Sequence, residues 1–353
     1  MAIGATIKSR KRADGYDIDI VAELKVPAHM APGEILNLLF DAINGPEGSR
    51  YHGMVERQTR CVTLYYADGM HLDVTPSALL DGNDPRRSHI FHAKPEEPKH
   101  EHRRVIMNSW GFCDWFNVST PHNVLFEAAY AKRVREHEGL VVLAEADVKP
   151  VPDHSTVEGG KSTKVVALQL LKRNRNTRYE SRRGQRMPPS VMMARIAGAT
   201  RVPDTSISGA LEAVSGAILA ELEKADTVGI LVDVRNPRCQ EDRFTDRWPE
   251  TLAAQKLYIH DLKLFRAQLA QLMSSELGLD AKRDLLVQMF GEGPAESVIA
   301  DYAGALARSV RTGQRVNAAS GRVTPVVSAV APAVVTASPS RKHTFYGEPW
   351  SKR

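Results

Sequence analysis

The chain has 353 residues, 42% of them hydrophobic and 25% charged, which leaves a sizeable core for one large or two small domains. Its formal net charge of +5 suits a phosphate-bearing ligand but is modest for this length, so no dedicated nucleic-acid surface is expected. Three cysteines, Cys61, Cys113 and Cys239, lie too far apart for a CxxC zinc site or a disulfide framework. The opening MAIGATIKSRKR has no apolar signal stretch, and no run approaches the roughly 20 apolar residues of a membrane helix, so a cytoplasmic setting away from membranes is expected.

In chain order, YDIDIVAEL at 16–24 alternates acidic and apolar residues and predicts a strand with its carboxylates on one face. Pro32 and Gly33 open a helical pattern, EILNLLFDAI, which Gly45 and Pro46 close. RCVTLYYA at 60–67 predicts a strand, Asp68-Gly69 a two-residue hairpin turn, and MHLDVTP at 70–76 the return strand, stopped by Pro76. Residues 81–104, with His89, His92, His100 and His102, read as a solvated polar connector, their spacing being too irregular for a metal cluster. Helical periodicity follows near 121–138, 161–176, 190–199, 207–224, 250–276, 280–290 and 294–310. Residues 312–340, rich in Ala, Ser, Val and Pro, suit a flexible tether, and RKHTFYGEPWSKR closes the chain.

Asp17 and Asp19 are separated by one residue on a strand, so both point to one side. Like charges this close repel unless a cation sits between them or one is protonated, and magnesium with oxygen ligands meets that need. If the hairpin strand pairs beside the first, Asp73 completes a triad able to hold two Mg²⁺ about 4 Å apart. One ion would activate a ribose hydroxyl and the other would carry a triphosphate. Read singly, each acid is a solvated strand-edge charge. As an ordered set, GYDIDIV, a helix, then a hairpin ending LDVTP, they point to nucleotidyl transfer.

At this point the chain resembles the CD-NTases, bacterial relatives of cyclic GMP-AMP synthase and oligoadenylate synthase. AIGATIKSRKRADGYDIDIVAEL resembles the family's first catalytic strand, and GMHLDVTPS the strand of the third acid. RRVIMNSWGFCDWF resembles the crossing into the helical half, with Ser109-Trp110 where Pro and a polar residue are usual. VVALQLLKRNRNTRY, MPPSVMMA, LVDVRNPRCQEDRFTDRW, MFGEGP and HTFYGE follow in family order.

The resemblance implies an α+β fold. A polymerase-β-like nucleotidyltransferase core, a small mixed sheet with helices over 1–104, precedes a helical C-terminal lobe over 105–311. The tether (312–340) and a C-terminal motif (341–353) complete the chain. It implies Mg²⁺ or Mn²⁺ at Asp17, Asp19 and Asp73, NTP substrates with ATP among them, and a cyclic di- or trinucleotide product that activates a separate effector in anti-phage (CBASS) signalling. A regulatory protein partner is implied for some relatives, and the closing segment would serve it or dock on the body. Lys172 matches the lysine that meets the donor triphosphate, Ser190 the serine that hydrogen-bonds it, and Arg173 and Arg175 would extend a basic wall; the alternative for Lys172 is a solvated helix charge. Asn236-Pro237, Phe244 and Trp248 read as shaping the lobe, and Trp110, Trp115 and Phe116 as core or hinge packing.

The family places a Gly-Ser turn and a long helix before the first strand, whereas this sequence begins MAIGATIK. The expectation is that Met1 lies downstream of the true start, that donor binding is weakened, and that Gly4 and Thr6 supply the remaining phosphate contacts. Two other functions stay open on the sequence: a nucleotidyltransferase acting on RNA or a small acceptor, and an inactive nucleotide-binding scaffold.

Overall fold

A computed structural model describes residues 17–67, 69–80, 82, 86–121, 123, 124, 126, 128, 162–202, 206–274, 277–311, 315–317 and 323–325, with only the backbone at 17, 305, 306, 308–311, 315–317 and 323–325. It divides into two compact units, 1–291 and 292–353. In the first unit, β1 (Asp17–Glu23), β2 (Val55–Arg57), β3 (Val62–Tyr65), β4 (His71–Leu79), β5 (Ser88–His92) and β6 (Arg103–Met107) form one mixed sheet. The order is β2-β3-β4-β5-β6, all antiparallel, and β1 runs parallel to β4 along its other edge. This is the expected small mixed sheet with helical cover.

The cover is α1 (Pro32–Asn44). Proline at its start costs no hydrogen bond, the Glu34 carboxylate accepts from the Ala31 N–H at 3.0 Å, and Gly45 at φ 63° ends it where a side chain would be strained. Ile35, Leu36 and Leu39 are buried under the sheet, where Ile35 and Leu36 cluster with Phe91 and Ala93. At about 1.5–3 kcal/mol per buried aliphatic side chain, this face holds the helix in place.

Pro76 does not stop the return strand, which runs on to Leu79. The Leu24 N–H donates to Ser77 O and the Leu80 N–H to Arg87 O, so odd residues of β4 turn their main-chain groups to β1 and even residues to the opposite edge. Pro76 is even. On that edge β3 pairs as far as Val74 and β5 begins at Ser77, so the missing proline N–H removes no ladder bond. The connector expected at 81–104 is a second correction. It holds β5 and the start of β6, paired Ser88↔Met107 to His92↔Arg103, and a 3₁₀ turn at Lys99–Glu101. Histidines made the segment look solvated, yet Ile90, Phe91 and His92 are buried. The lobe boundary expected after residue 104 thus falls inside β6.

The helical part follows: α2 (Ser109–Ser119), α3 (Thr163–Tyr179), α4 (Ser190–Ala199), α5 (Ile207–Thr227), α6 (Leu252–Met273) and α7 (Leu279–Phe290). Most of the helix expected over 121–138 lies outside the described residues. Asn108, Ser162, Ser206 and Thr251 cap α2, α3, α5 and α6 by accepting from backbone N–H groups at 2.8–3.2 Å. Phe116, Leu168, Met192, Ile218, Trp248 and Phe265 belong to their common core. Trp110 is no core residue: it is exposed, with the Arg86 guanidinium 4.9 Å above its ring.

A buried junction joins the sheet to this lobe. A short hairpin, β7 (Arg235–Asn236) with β8 (Cys239–Arg243), carries Asn236 and Asp242. Asn236 Nδ2 donates to Asn108 O and to Asp242 Oδ2, both at 2.8 Å, and the Asn108 N–H donates to the same carboxylate at 3.1 Å. Burial raises the Asp242 pKa, and these donors oppose that rise.

The second unit contains α8 (Glu292–Arg311) and an antiparallel pair, β9 (Arg315–Asn317) with β10 (Val323–Pro325). The tether expected over 312–340 therefore includes a pair of short strands. The remainder of 312–340, the motif at 341–353, Gly4 and Thr6 lie outside the described residues. No helix among the described residues is long and apolar enough to cross a membrane.

Candidate active site

The first acidic strand and the hairpin strand lie side by side. Asp19 and Asp73 are direct partners across β1 and β4, in the register Asp17↔His71, Asp19↔Asp73, Val21↔Thr75. Partners in register share a face of the sheet, so Asp73 stands on the face of Asp19, and alternation along β1 puts the Asp17 position on it too. That face is opposite the one occupied by Val62, Val74, Leu64 and Leu72, which are each other's partners one residue out of phase.

Asp73 is oriented from its other side. Thr63 is its partner on β3, and the Thr63 hydroxyl donates to Asp73 Oδ1 at 2.5 Å. Thr63 was not found from sequence because the hairpin turn is one residue longer than expected. The Tyr66 N–H donates to Met70 O at 2.8 Å and Gly69 adopts φ 86°, so Tyr66 and Met70 are the residues that bracket the connection. A left-handed glycine closing a three-residue loop is a standard solution. The two-residue turn would have set Asp73 opposite Leu64 and turned the carboxylate toward an apolar partner.

Cys61, one residue before β3, stands beside the pair. Burial, and then the Asp73 and Asp19 carboxylates, push its thiol up to about 11, with the Thr63 hydroxyl opposing. At neutral pH it is a neutral thiol beside two carboxylates. Among the described residues no three His, Cys, Asp or Glu side chains are gathered into a metal cluster. Asp19 and Asp73 are the described pair, and Asp17 joins them by backbone position alone. Carboxylate oxygens converging on one sheet face are the donor chemistry that Mg²⁺ prefers.

Lys172 lies half-buried on α3, three residues before Arg175. The Ser190 hydroxyl, at the start of α4, accepts from Arg175 Nη1 at 3.0 Å, which leaves its own O–H to donate. Arg175 is buried and also donates to Pro188 O at 2.6 Å, and Arg173 Nε donates to Phe290 O at 3.0 Å at the end of α7. These two arginines hold the lobe together rather than extending a basic wall.

Basic groups do line the sheet-to-lobe rim, though from positions the sequence did not single out. Arg60 donates Nε to His92 Nδ1 at 3.0 Å and pairs with Asp246. Burial, followed by Arg60, Arg103 and Arg247, lowers the His92 pKa from 6.5 to about 4, with Glu97 opposing. The folded state therefore binds fewer protons than the unfolded state between those two values. Stability should be complete above pH 6.5 and fall as pH drops toward 4, by up to about 3 kcal/mol. His92→Gln keeps an acceptor for Arg60 but cannot titrate. Urea unfolding at steps across this window should show a flattened acid slope in the variant, and equal slopes would refute the assignment.

A mixed sheet with paired acids on one face, covered by a helix on the other and followed by a helical lobe, defines a polymerase-β-like nucleotidyltransferase. The cyclic dinucleotide synthase CdnG of Bradyrhizobium diazoefficiens is 35% identical over 351 residues, 99% of this chain and 82% of that protein. The structure of that CD-NTase in complex with GTP superposes with a TM-score of 0.68 at 32% identity, covering 84% of this chain and 82% of that one. The chain belongs to the CD-NTase family and is a nucleotidyltransferase. A c-di-GMP synthase of Roseivirga ehrenbergii is 23% identical over 305 residues, 83% of this chain and 71% of that protein. The 3′-deoxy GTP-bound form of Vibrio cholerae DncV shares the fold, with a TM-score of 0.52 and 12% identity over 84% of this chain and 66% of that one. No family model matches the sequence.

Proposed function

We propose that the protein joins nucleoside triphosphates, ATP or GTP among them, into a cyclic di- or trinucleotide second messenger. The observation that carries this reading is the Asp19↔Asp73 pairing on one sheet face, in a chain whose relatives are named cyclic dinucleotide synthases. Asp17, Asp19 and Asp73 would hold two Mg²⁺, which lower the pKa of an attacking ribose hydroxyl and neutralise the leaving pyrophosphate. Thr63 fixes the rotamer of Asp73, so that carboxylate can accept the hydroxyl proton without reorganising. Lys172 and Ser190 orient the donor triphosphate by charge and by an O–H donor. The product would act in the cytoplasm on a separate effector in anti-phage (CBASS) signalling.

The test is synthesis. Purified protein with Mg²⁺ and labelled NTP pairs should yield a phosphatase-resistant product whose mass is that of a cyclic oligonucleotide. Asp17→Ala with Asp19→Ala should remove it. Unchanged synthesis in that double variant rules out the acid cluster. Product that forms only when RNA or a small acceptor is supplied would replace a cyclase with an acceptor-dependent transferase.

A further inference from the structure

Two arginines, Arg60 and Arg186, flank the 246–247 segment beside the acidic face, and a third, Arg247, belongs to it. Arg60 comes from the turn before β3 and pairs with Asp246. Arg186 comes from the connection between α3 and α4; its Nη1 donates to Arg247 O at 2.9 Å and lies 3.4 Å from Glu250. Arg60 and Arg186 thus grip the segment from the sheet and from the lobe, and each has a carboxylate partner. Arg247 has neither a hydrogen bond nor an ion pair to its guanidinium among the described residues. It is nonetheless half-buried. Burial, Arg186 and Arg60, in that order, disfavour its charge, while Asp246 favours it, and the Cys61 side chain lies close by. Cys61 in turn borders Asp73 and Asp19.

A guanidinium does not escape such a setting by losing its proton, so the cost of desolvation and like-charge crowding persists until an anion arrives. The segment is pinned on both sides, which pre-organises Arg247 and reduces the ordering cost of binding. We propose that Arg247 is a phosphate-binding residue that holds the polyphosphate of a nucleotide on the lobe side of the acidic face. Arg60 and Arg186 are positioning residues that set it there. The proposal rests on the nucleotide-joining reading above for its location, but its test does not need turnover.

The probe is inorganic tripolyphosphate, with guanosine as the phosphate-free control, titrated calorimetrically into the full chain. Arg247→Met should weaken tripolyphosphate binding by about tenfold or more, the loss of a charge-assisted contact, and leave guanosine binding unchanged. KM for NTP should rise by a similar factor while kcat stays within about threefold. Arg247→Lys keeps the charge without the fork and should lose about threefold. Thermal melts report folding; if the methionine variant melts early, the lysine variant decides. Tripolyphosphate affinity unchanged in a folded variant, or an equal loss of guanosine binding, overturns the proposal. Wild-type protein that binds tripolyphosphate through Arg247 yet joins no nucleotides would sink the catalytic reading and leave this one standing.

Discussion

Asp73→Asn should reduce nucleotide joining by about a thousandfold or more while leaving the fold intact, since a metal-ligating and proton-accepting group is lost and its volume kept. The amide still accepts from Thr63, so the β3–β4 register is preserved. Removing a negative charge beside Asp19 relieves repulsion, so without divalent metal the variant should melt at or above the wild-type temperature. Adding Mg²⁺ should raise the wild-type melting temperature and barely move that of the variant, because only the native cluster binds the ion strongly. Measured rates, together with melts in chelator and in Mg²⁺, test both halves. A variant that turns over within about tenfold of wild type, or that gains the same stabilisation from Mg²⁺, would remove Asp73 from the metal site.

The second large effect is structural. Asp261 on α6 is 2% exposed and receives both arms of the Arg182 guanidinium, at 2.5 and 2.8 Å, while that guanidinium also lies 4.8 Å from the Tyr179 ring. Arg182→Ala leaves a carboxylate buried without its partner, which costs about 3–5 kcal/mol and should lower the melting temperature by roughly 10 °C for a unit of this size. Arg182→Met combined with Asp261→Leu removes both charges and keeps volume, and should recover most of the loss. A single variant less than about 1 kcal/mol below wild type would show that the pair contributes little. The pair also ties the connection between α3 and α4, which carries Arg186 and leads to Ser190, to the body of the lobe. KM for NTP should therefore rise in the single variant before stability fails.

What could be read from sequence follows from which signals are local. Alternation in YDIDIV and the helical spacing of EILNLLFDAI are set by neighbouring residues, so β1 and α1 emerged almost to the residue. The segment read near 190–199 from its helical periodicity coincides with α4 for the same reason. Asp19 and Asp73 were paired by assuming that the hairpin returns beside β1, and the structure places them in register. The rest depends on distant groups. Pro76 reads as a breaker until two different strands are seen to share one edge of β4. His92 reads as polar until it is buried under Arg60. Arg173 and Arg175 read as a phosphate wall until their acceptors, Phe290 O and Pro188 O, come in from other elements. Arg247 carries no local signal, since its setting is made by residues from the turn before β3 and from the α3–α4 connection. Asp17, whose side chain lies outside the described residues, and Gly4 and Thr6 stand where the sequence left them.

The side-by-side arrangement of β1 and β4 also bears on how the molecule is made. A ribosome releases Asp19 well before Asp73, with a helix and two strands emerging between them. Among the described residues β4 is the strand that pairs with β1, and a parallel pairing of distant segments is a slow, late event in folding. A nascent chain therefore exposes one half of the acid pair without the other, and nucleotide chemistry is withheld until the sheet closes.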